Sequence, residues 1–295
     1  MKHTDALEQA YRAFQQAHTD ALHQEFVEYL GVNFSEHETT PPVFKAYYTT
    51  AKSMGSIPAL LQPLVERDMI HALNKIYDTV NQGCVRYEIG LQHRTNTNMA
   101  FVNQWIEERF PEIKLPRDEF NRFYSIKCVE DKAYQYAALY FLGLIADVRD
   151  PDAPQTRAIK LHYLLRKCSD PDKIGKGYTV DNGSFLEILS ALGIPEMEQL
   201  CAAVGPLIAS AGGELWMAAV DYYKDGLSKY KIYIKKFSEA VYESMIECFH
   251  ALGCAHLAEQ ISAYRCWISL HPELERYGIA LCLDNRMVWS VNFYH

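Results

Sequence analysis

The chain has no C-x-x-C pair, no D-D-x-x-D, no G-x-S-x-G and no complete phosphate-loop pattern. Each absence removes a class of chemistry. Its eight cysteines (Cys84, Cys128, Cys168, Cys201, Cys248, Cys254, Cys266 and Cys282) show no paired spacing, which excludes a zinc ribbon. Their scatter fits reduced thiols in a cytoplasm. Cys248, His250, Cys254 and His256 lie near one another, but their spacing matches no standard zinc site, and ordinary helix positions explain them. Without D-D-x-x-D there is no aspartate cluster for metal ions. Gly175-Lys176-Gly177 is only a fragment of a phosphate loop, and without G-x-S-x-G there is no nucleophile elbow. No long basic stripe occurs and the net charge is −8, which argues against a nucleic-acid partner. The longest greasy stretch, Tyr134–Ala146, is too short to span a bilayer as a helix. The N-terminal MKHTDALEQAYRAF carries charges and no apolar run, so no secretory signal is expected. These absences predict a soluble intracellular protein that does not engage membranes.

What is present supports a sizeable core. Hydrophobic residues make up 49% of 295 residues and charged ones 22%, too apolar a balance for disorder. The length suits one large domain or two ordinary ones. Tyrosine occurs 20 times, which supplies apolar bodies with polar tips, either at the core edge or in a pocket both greasy and wet.

Periodicity predicts helices over 4–30, with Gly31 as a stop, and over about 43–53 and 57–70. Leu73–Val80 and Cys84–Gln92 read as a hairpin around Asn81-Gln82-Gly83. Helical spacing returns over 97–110 and 117–125. Tyr134–Val148 and Thr156–Leu165 form a second hairpin, and Asp172–Gly183 reads as a loop. Ser184 with Glu187 gives a capping-box signature for a helix, and another covers about 195–209 before Gly212-Gly213. Glu214–Tyr223 and Ser228–Lys236 make a third hairpin around Lys224-Asp225-Gly226. Helices about 238–252 and 255–264 follow, then a weak strand at Trp267–Leu270. The hairpin Arg276–Leu283 and Met287–Tyr294 closes the chain. Hairpins separated by helices give an α+β class. The antiparallel sheet could lie flat, the commoner arrangement, or close on itself and hide its edges.

Three of these strands segregate ionisable from apolar groups, because alternate residues of a strand face opposite sides. Arg86 and Glu88 oppose Val85, Tyr87, Ile89 and Leu91. Lys160 and His162 oppose Ile159, Leu161 and Tyr163. Lys229, Lys231 and Tyr233 oppose Tyr230, Ile232 and Ile234. Converging, those polar faces would make a cationic cavity suited to a diphosphate. Apart, they would be exposed sheet faces.

The element order and these motifs resemble the ABBA, or prenyltransferase-barrel, enzymes, and within them the cyanobactin peptide prenyltransferases. The resemblance covers about 70–295. Arg86-Tyr87-Glu88-Ile89-Gly90-Leu91 is similar to that family's arginine-bearing strand and Lys160-Leu161-His162 to its K-x-H strand. Asp221-Tyr222-Tyr223-Lys224-Asp225-Gly226 with Lys231-Ile232-Tyr233 resembles its paired strands around a D-G turn, and Val291-Asn292-Phe293-Tyr294 its closing strand. Two positions depart from the pattern. Where the family carries a glutamate on the strand before its arginine strand, this chain offers Asn74 and Asp78, with Glu66 earlier; Asn292 replaces a basic residue.

The resemblance implies a single domain over 1–295, a closed antiparallel β-barrel of about ten strands surrounded by α-helices, with 1–70 as a helical segment packed on it. It implies transfer of a dimethylallyl or longer group from an allylic diphosphate to a Tyr, Trp, Arg or His side chain of a cyclic ribosomal peptide. Arg86, Lys160, His162, Lys229, Lys231, Tyr233 and Tyr294 would bind the diphosphate, and Tyr222, Tyr233 and Tyr294 would shield the carbocation. Glu88, Asp78 and Glu66 are the candidates for taking the acceptor's proton, although Glu88 could simply pair with Arg86. No protein metal site is expected. Some family members use Mg2+, which would offset diphosphate charge. Prenylation of a small aromatic such as an indole is the alternative within enzymes. A non-catalytic α+β protein gripping an acidic partner with a basic sheet face is the alternative outside them. Oligomeric state stays open.

Overall fold

Strand alternation dominates the architecture. The computed structural model describes residues 2–17, 27–36, 42–49, 59–78, 84–91, 96–124, 127–130, 133–147, 158–168 and 178–295. Its strands are β1 (Val27–Ser35), β2 (Val43–Thr49), β3 (Ile70–Asp78), β4 (Cys84–Leu91), β5 (Lys127–Glu130), β6 (Ala133–Asp147), β7 (Ala158–Cys168), β8 (Tyr178–Thr179), β9 (Glu214–Tyr223), β10 (Ser228–Lys235), β11 (Gly278–Asp284) and β12 (Trp289–Tyr294). Its helices are α1 (Lys2–Ala17), α2 (Gln62–Glu66), α3 (Asn96–Arg109), α4 (Arg117–Tyr124), α5 (Asn182–Ser190), α6 (Pro195–Ala211), α7 (Ala240–Ala251) and α8 (Ala255–Ile268).

All strand pairings among these elements are antiparallel. The order is β6-β4-β3-β2-β1-β12-β11-β10-β9-β7, and β6 also pairs with β7. Each of these ten strands therefore has two hydrogen-bonded neighbours, whereas a flat sheet would leave two edges. The short strands β5 and β8 attach to the ends of β6 and β7.

Two faces follow from the alternation. On one, Val32, Phe34, Ile89, Leu161, Ile232 and Val291 join a large core with helical residues such as Leu200, Met245 and Trp267. Burying each large apolar side chain there contributes about 1.5–3 kcal/mol. On the other face a separate small cluster gathers Met217, Ala219, Tyr233, Ala280 and Cys282, with Trp216 and Tyr294 against it. Helices thus cover the first face, and the second carries the candidate site.

The N-terminal third corrects the sequence expectation. Residues 1–70 are not an all-helical segment: β1 and β2 are integral strands, paired with β12 and β3. Of the helix expected over 4–30, residues 4–17 lie in α1, 18–26 lie outside the described residues, and 27–30 begin β1, which also contains Gly31. Leu30, Val32 and Phe34 alternate with Gly31, Asn33 and Ser35, a period of two hidden behind the preceding period of 3.6. Val43–Thr49 is rich in β-branched and aromatic residues, which suit a pleated surface better than a helix. The expected helix 57–70 reduces to a short 3-10 turn, Ala59–Leu61, and α2. Trp267 and Ile268 end α8 and Ser269 and Leu270 form the turn after it, so no strand lies there. The cap of α5 is Asp181, which accepts from Ser184 N at 2.9 Å; Ser184 lies inside the helix. The turn between β9 and β10 falls at Lys224-Asp225-Gly226 as expected, with Gly226 at φ +83°, a conformation glycine adopts without strain.

Candidate active site

Register aligns the polar residues around the second face. Glu88 on β4 pairs with Gly143 on β6, Gly143 with Lys160 on β7, Lys160 with Asp221 on β9, and Asp221 with Lys229 on β10. The adjacent row runs His162, Ala219, Lys231, Cys282, Ser290. The next runs Met217, Tyr233, Ala280, Asn292, Asn33. Directly paired residues share a face, so cations, the two buried acids Glu88 and Asp221, and aromatic rings look the same way.

Asp221 is the centre of this constellation. It is fully buried, and its Oδ2 receives Lys160 Nζ at 2.7 Å and a closer contact from Lys231 Nζ. Both lysine side chains are only 7% exposed. Tyr223 donates its hydroxyl to the same oxygen at 3.4 Å. Burial works against ionisation of Asp221. The attraction of Lys160 and Lys231, with the hydrogen bonds they donate, outweighs it and holds the carboxyl well below the ordinary carboxylate range. Removing Asp221 from such a cluster would leave both ammonium groups without this counter-charge and cost about 3–5 kcal/mol.

Next to it His162 Nε2 lies 3.1 Å from Tyr233 Oη, with the rings edge to face at 5.7 Å. Tyr233 stacks on Tyr294 with centroids 6.0 Å apart. Asn33 donates to Asn292 Oδ1 at 2.7 Å, and Asn292 donates to Cys282 Sγ at 3.3 Å, so the closing-strand asparagine is held by polar neighbours.

Trp216 reaches this face through a β-bulge. Tyr233 pairs with Met217 and Ile234 with Leu215, so the register skips Trp216. Its ring meets Tyr233 at 6.4 Å and Tyr277 at 6.0 Å, and Lys235 Nζ lies 5.4 Å from it. Asn182 fixes the start of the same strand: its side chain donates to Gly213 O and accepts from Leu215 N, both at 2.9 Å.

The structure thus brings together Lys160, Lys231, His162, Tyr233 and Tyr294. Lys229 is half-buried, in register with Asp221, and in no ion pair among the described residues. Glu88 is buried at 8% exposure in the same cross-strand row. Arg86 lies two residues earlier on β4, opposite Ile76 and Ile145, and Asp78 pairs with Lys45 on β2. The side chains of Arg86 and Asp78 lie outside those described.

Two sequence expectations are corrected. Tyr222 does not shield the site: it sits between Asp221 and Tyr223, so alternation turns it outward into the helix-facing core, where it donates to Glu119 Oε1 at 2.8 Å. Tyr230 donates to Glu119 Oε2 at 2.9 Å, and burial pushes the Glu119 carboxyl up despite both bonds. Glu66 ends α2, is exposed, and lies before the strands begin their polar face at β3. Sequence reasoning also missed Asp221 and Trp216 as site residues. Parity along D-Y-Y-K-D-G marks Asp221 as facing away from Tyr222; nothing local marks the bulge.

Among the described residues the donor set does not make a protein magnesium site. The Asp221 oxygen facing the cations is engaged by two ammonium groups, and no group of three or more His, Cys, Asp or Glu among the described residues could hold a metal ion. No helix among the described residues is long and apolar enough to cross a membrane.

No known family profile matches the sequence, and no curated protein matches it. Solved structures do. The chain is similar to NotF prenyltransferase at 10% identity and a TM-score of 0.59, covering 90% of this chain and 79% of that one. It is similar to AnaPT from Neosartorya fischeri at 11% identity and 0.57, covering 99% and 90%. It is also similar to 6-dimethylallyltryptophan synthase from Micromonospora olivasterospora in complex with DMASPP and Trp, at 11% identity and 0.51, covering 90% and 80%. At these identities the likeness is one of fold.

Proposed function

We propose that the ten paired strands form a closed barrel within one domain, and that its lumen transfers a prenyl group from an allylic diphosphate to an electron-rich acceptor. The observation that carries this reading is the Lys160–Asp221–Lys231 cluster beside the stacked Tyr233 and Tyr294 rings on a face lined by small residues. The fold it shares with NotF prenyltransferase and AnaPT supports it.

The C–O bond of the allylic diphosphate breaks, and its electron pair leaves with the diphosphate. Lys160 and Lys231 stabilise that charge, with Lys229 and Arg86 adding to the field and His162 and the tyrosine hydroxyls donating hydrogen bonds. The allylic cation lies against the Tyr233 and Tyr294 faces, which hold it by cation–π attraction and keep water away. The acceptor adds to the cation, and its proton passes to Glu88, the buried carboxylate of the same row, with Asp78 as the second candidate. We assign the charge on the diphosphate to the lysines and not to a protein-held metal.

For the acceptor, an indole ring is supported by the tryptophan in the dimethylallyltryptophan synthase complex. A Tyr, Trp, Arg or His side chain of a cyclic peptide is supported by the order of the strand motifs. A Trp or Tyr side chain presents the lumen with the same indole or phenol ring as the small aromatic, whereas Arg or His would present a nitrogen nucleophile.

Thermal stabilisation by dimethylallyl and geranyl diphosphates tests donor binding. Mass spectrometry after incubation with dimethylallyl diphosphate and tryptophan, cyclic dipeptides or a cyclic peptide tests transfer. The reading fails if neither donor stabilises the protein and no acceptor gains a prenyl mass. Unchanged turnover in Glu88→Gln would remove that residue from the scheme.

A further inference from the structure

We infer that Asp221 is a positioning residue, the internal counter-ion that keeps Lys160 and Lys231 both charged and side by side so that a diphosphate meets a preformed pair. The inference rests on the prenyl-transfer reading and adds to it how the cationic site exists before substrate arrives.

The charge count singles Asp221 out. One fully buried carboxylate faces two ammonium groups, and both reach the same oxygen. Its other oxygen, Oδ1, is buried without a hydrogen-bond partner among the described residues. Buried ion groups are a weak source of stability. At the Asp221 oxygen two positive charges meet one negative, Lys229 adds a cation from the next strand, and Glu88 lies in the same row beyond Gly143. An ammonium has three donors, so a contact with Asp221 does not exhaust it. Two ammonium groups this close repel, and without a carboxylate between them one sheds its proton more readily. A lysine that loses its charge no longer binds an anion. Asp221 therefore trades some repulsion toward the diphosphate for two permanently charged ligands.

The titratable groups around Asp221 and its two lysines are Lys160 and His162 from β7, Lys229, Lys231 and Tyr233 from β10, Tyr223 from β9 itself, Cys282 from β11 in register with Lys231, and Glu88 from β4 in the same row beyond Gly143. A test must isolate the lysine pair among them.

Isothermal titration with the unreactive thiolo analogue of dimethylallyl diphosphate does so, across about pH 7 to 9.5, a range below the ordinary lysine pKa. Wild type is expected to bind with an affinity that is flat over this range. Asp221→Asn is expected to lose affinity by about tenfold from the bottom of the range to the top, as the lysine pair gives up one charge. In the double variant Asp221→Asn/Lys231→Met the like-charged pair is gone, so binding is weaker throughout and flat again. Parallel curves for wild type and Asp221→Asn, at any affinity, overturn the inference and leave the prenyl-transfer reading intact. Wild type that does not bind the analogue overturns the diphosphate reading, and the inference with it. Circular dichroism follows folding. If Asp221→Asn alone is unfolded, restoration of the fold by Lys231→Met supports the inference, and its failure to restore the fold overturns it.

Discussion

Gly143 on β6 and Lys160 on β7 are direct cross-strand partners, and a methyl group on Gly143 would lie 3.0 Å from Lys160 Cβ. It would also lie 3.5 Å from Cγ and Cδ of the same side chain. The glycine is therefore the floor on which the lysine stem rests. Gly143→Val is expected to push Lys160 off Asp221 and to cost about 1–3 kcal/mol through overpacking. Diphosphate affinity should fall along with stability, measured by titration and by denaturant melts. A variant with unchanged diphosphate affinity would show that the lysine does not depend on this floor.

The aromatic shield makes a prediction about products. Tyr233→Leu and Tyr294→Leu should let water reach the allylic cation, so dimethylallyl alcohol rises relative to prenylated acceptor. The loss of one desolvated cation–π contact should slow turnover by about tenfold. Tyr233→Phe keeps the face but loses the hydroxyl near His162, so it should slow the reaction without changing the product ratio. Product ratios by mass spectrometry separate the two contributions.

Tyr222 should behave differently. Its hydroxyl donates to the half-buried Glu119, so Tyr222→Phe is expected to cost about 1 kcal/mol of stability through the lost hydrogen bond. Its effect on turnover should be smaller than that of Tyr233→Phe. Equal kinetic losses in the two variants would contradict the outward orientation.

The difference between these tyrosines shows how far the sequence could be read. Lys160, His162, Lys231 and Tyr233 were legible because each lies on a strand whose neighbours alternate cleanly, so parity alone aims them. The same parity turns Tyr222 away once Asp221 is recognised as inward, but a neutralising acid between two lysines can be identified only after three strands are in register. Trp216 was not legible, because a bulge breaks the parity that local reasoning relies on. β1 and β2 were hidden for another reason. Their alternation follows directly on helical periodicity, and what makes them strands is pairing with β12 and β3, far along the chain.

His295 gives a pH dependence. Burial pushes its imidazole down, from an ordinary 6.5 to about 4, partly opposed by the hydrogen bond to Glu275 O. Its Nε2 meets the Tyr264 hydroxyl. In the unfolded chain the ring takes a proton below about pH 6.5, whereas the folded ring resists until about 4. The unfolded state therefore binds more protons in this window, and stability falls as pH drops through it, by about 3 kcal/mol at most. Denaturant melts between pH 7 and 4 should show this slope, and His295→Gln should flatten it. An unchanged slope in the variant would assign the dependence to other groups.

The pairing of β1 with β12 has a consequence for synthesis. Asn33 and Asn292 hydrogen-bond across 259 residues of sequence, and Leu30 and His295 exchange two backbone bonds at 2.8 Å. The first strand leaves the ribosome with one of its two ladder partners untranslated. Until β12 emerges, β1 carries an unsatisfied edge that invites pairing with another polypeptide. A stop codon placed before β12 would therefore yield an aggregation-prone product and not merely an inactive one, and chaperone occupancy during translation should persist until β12 is made.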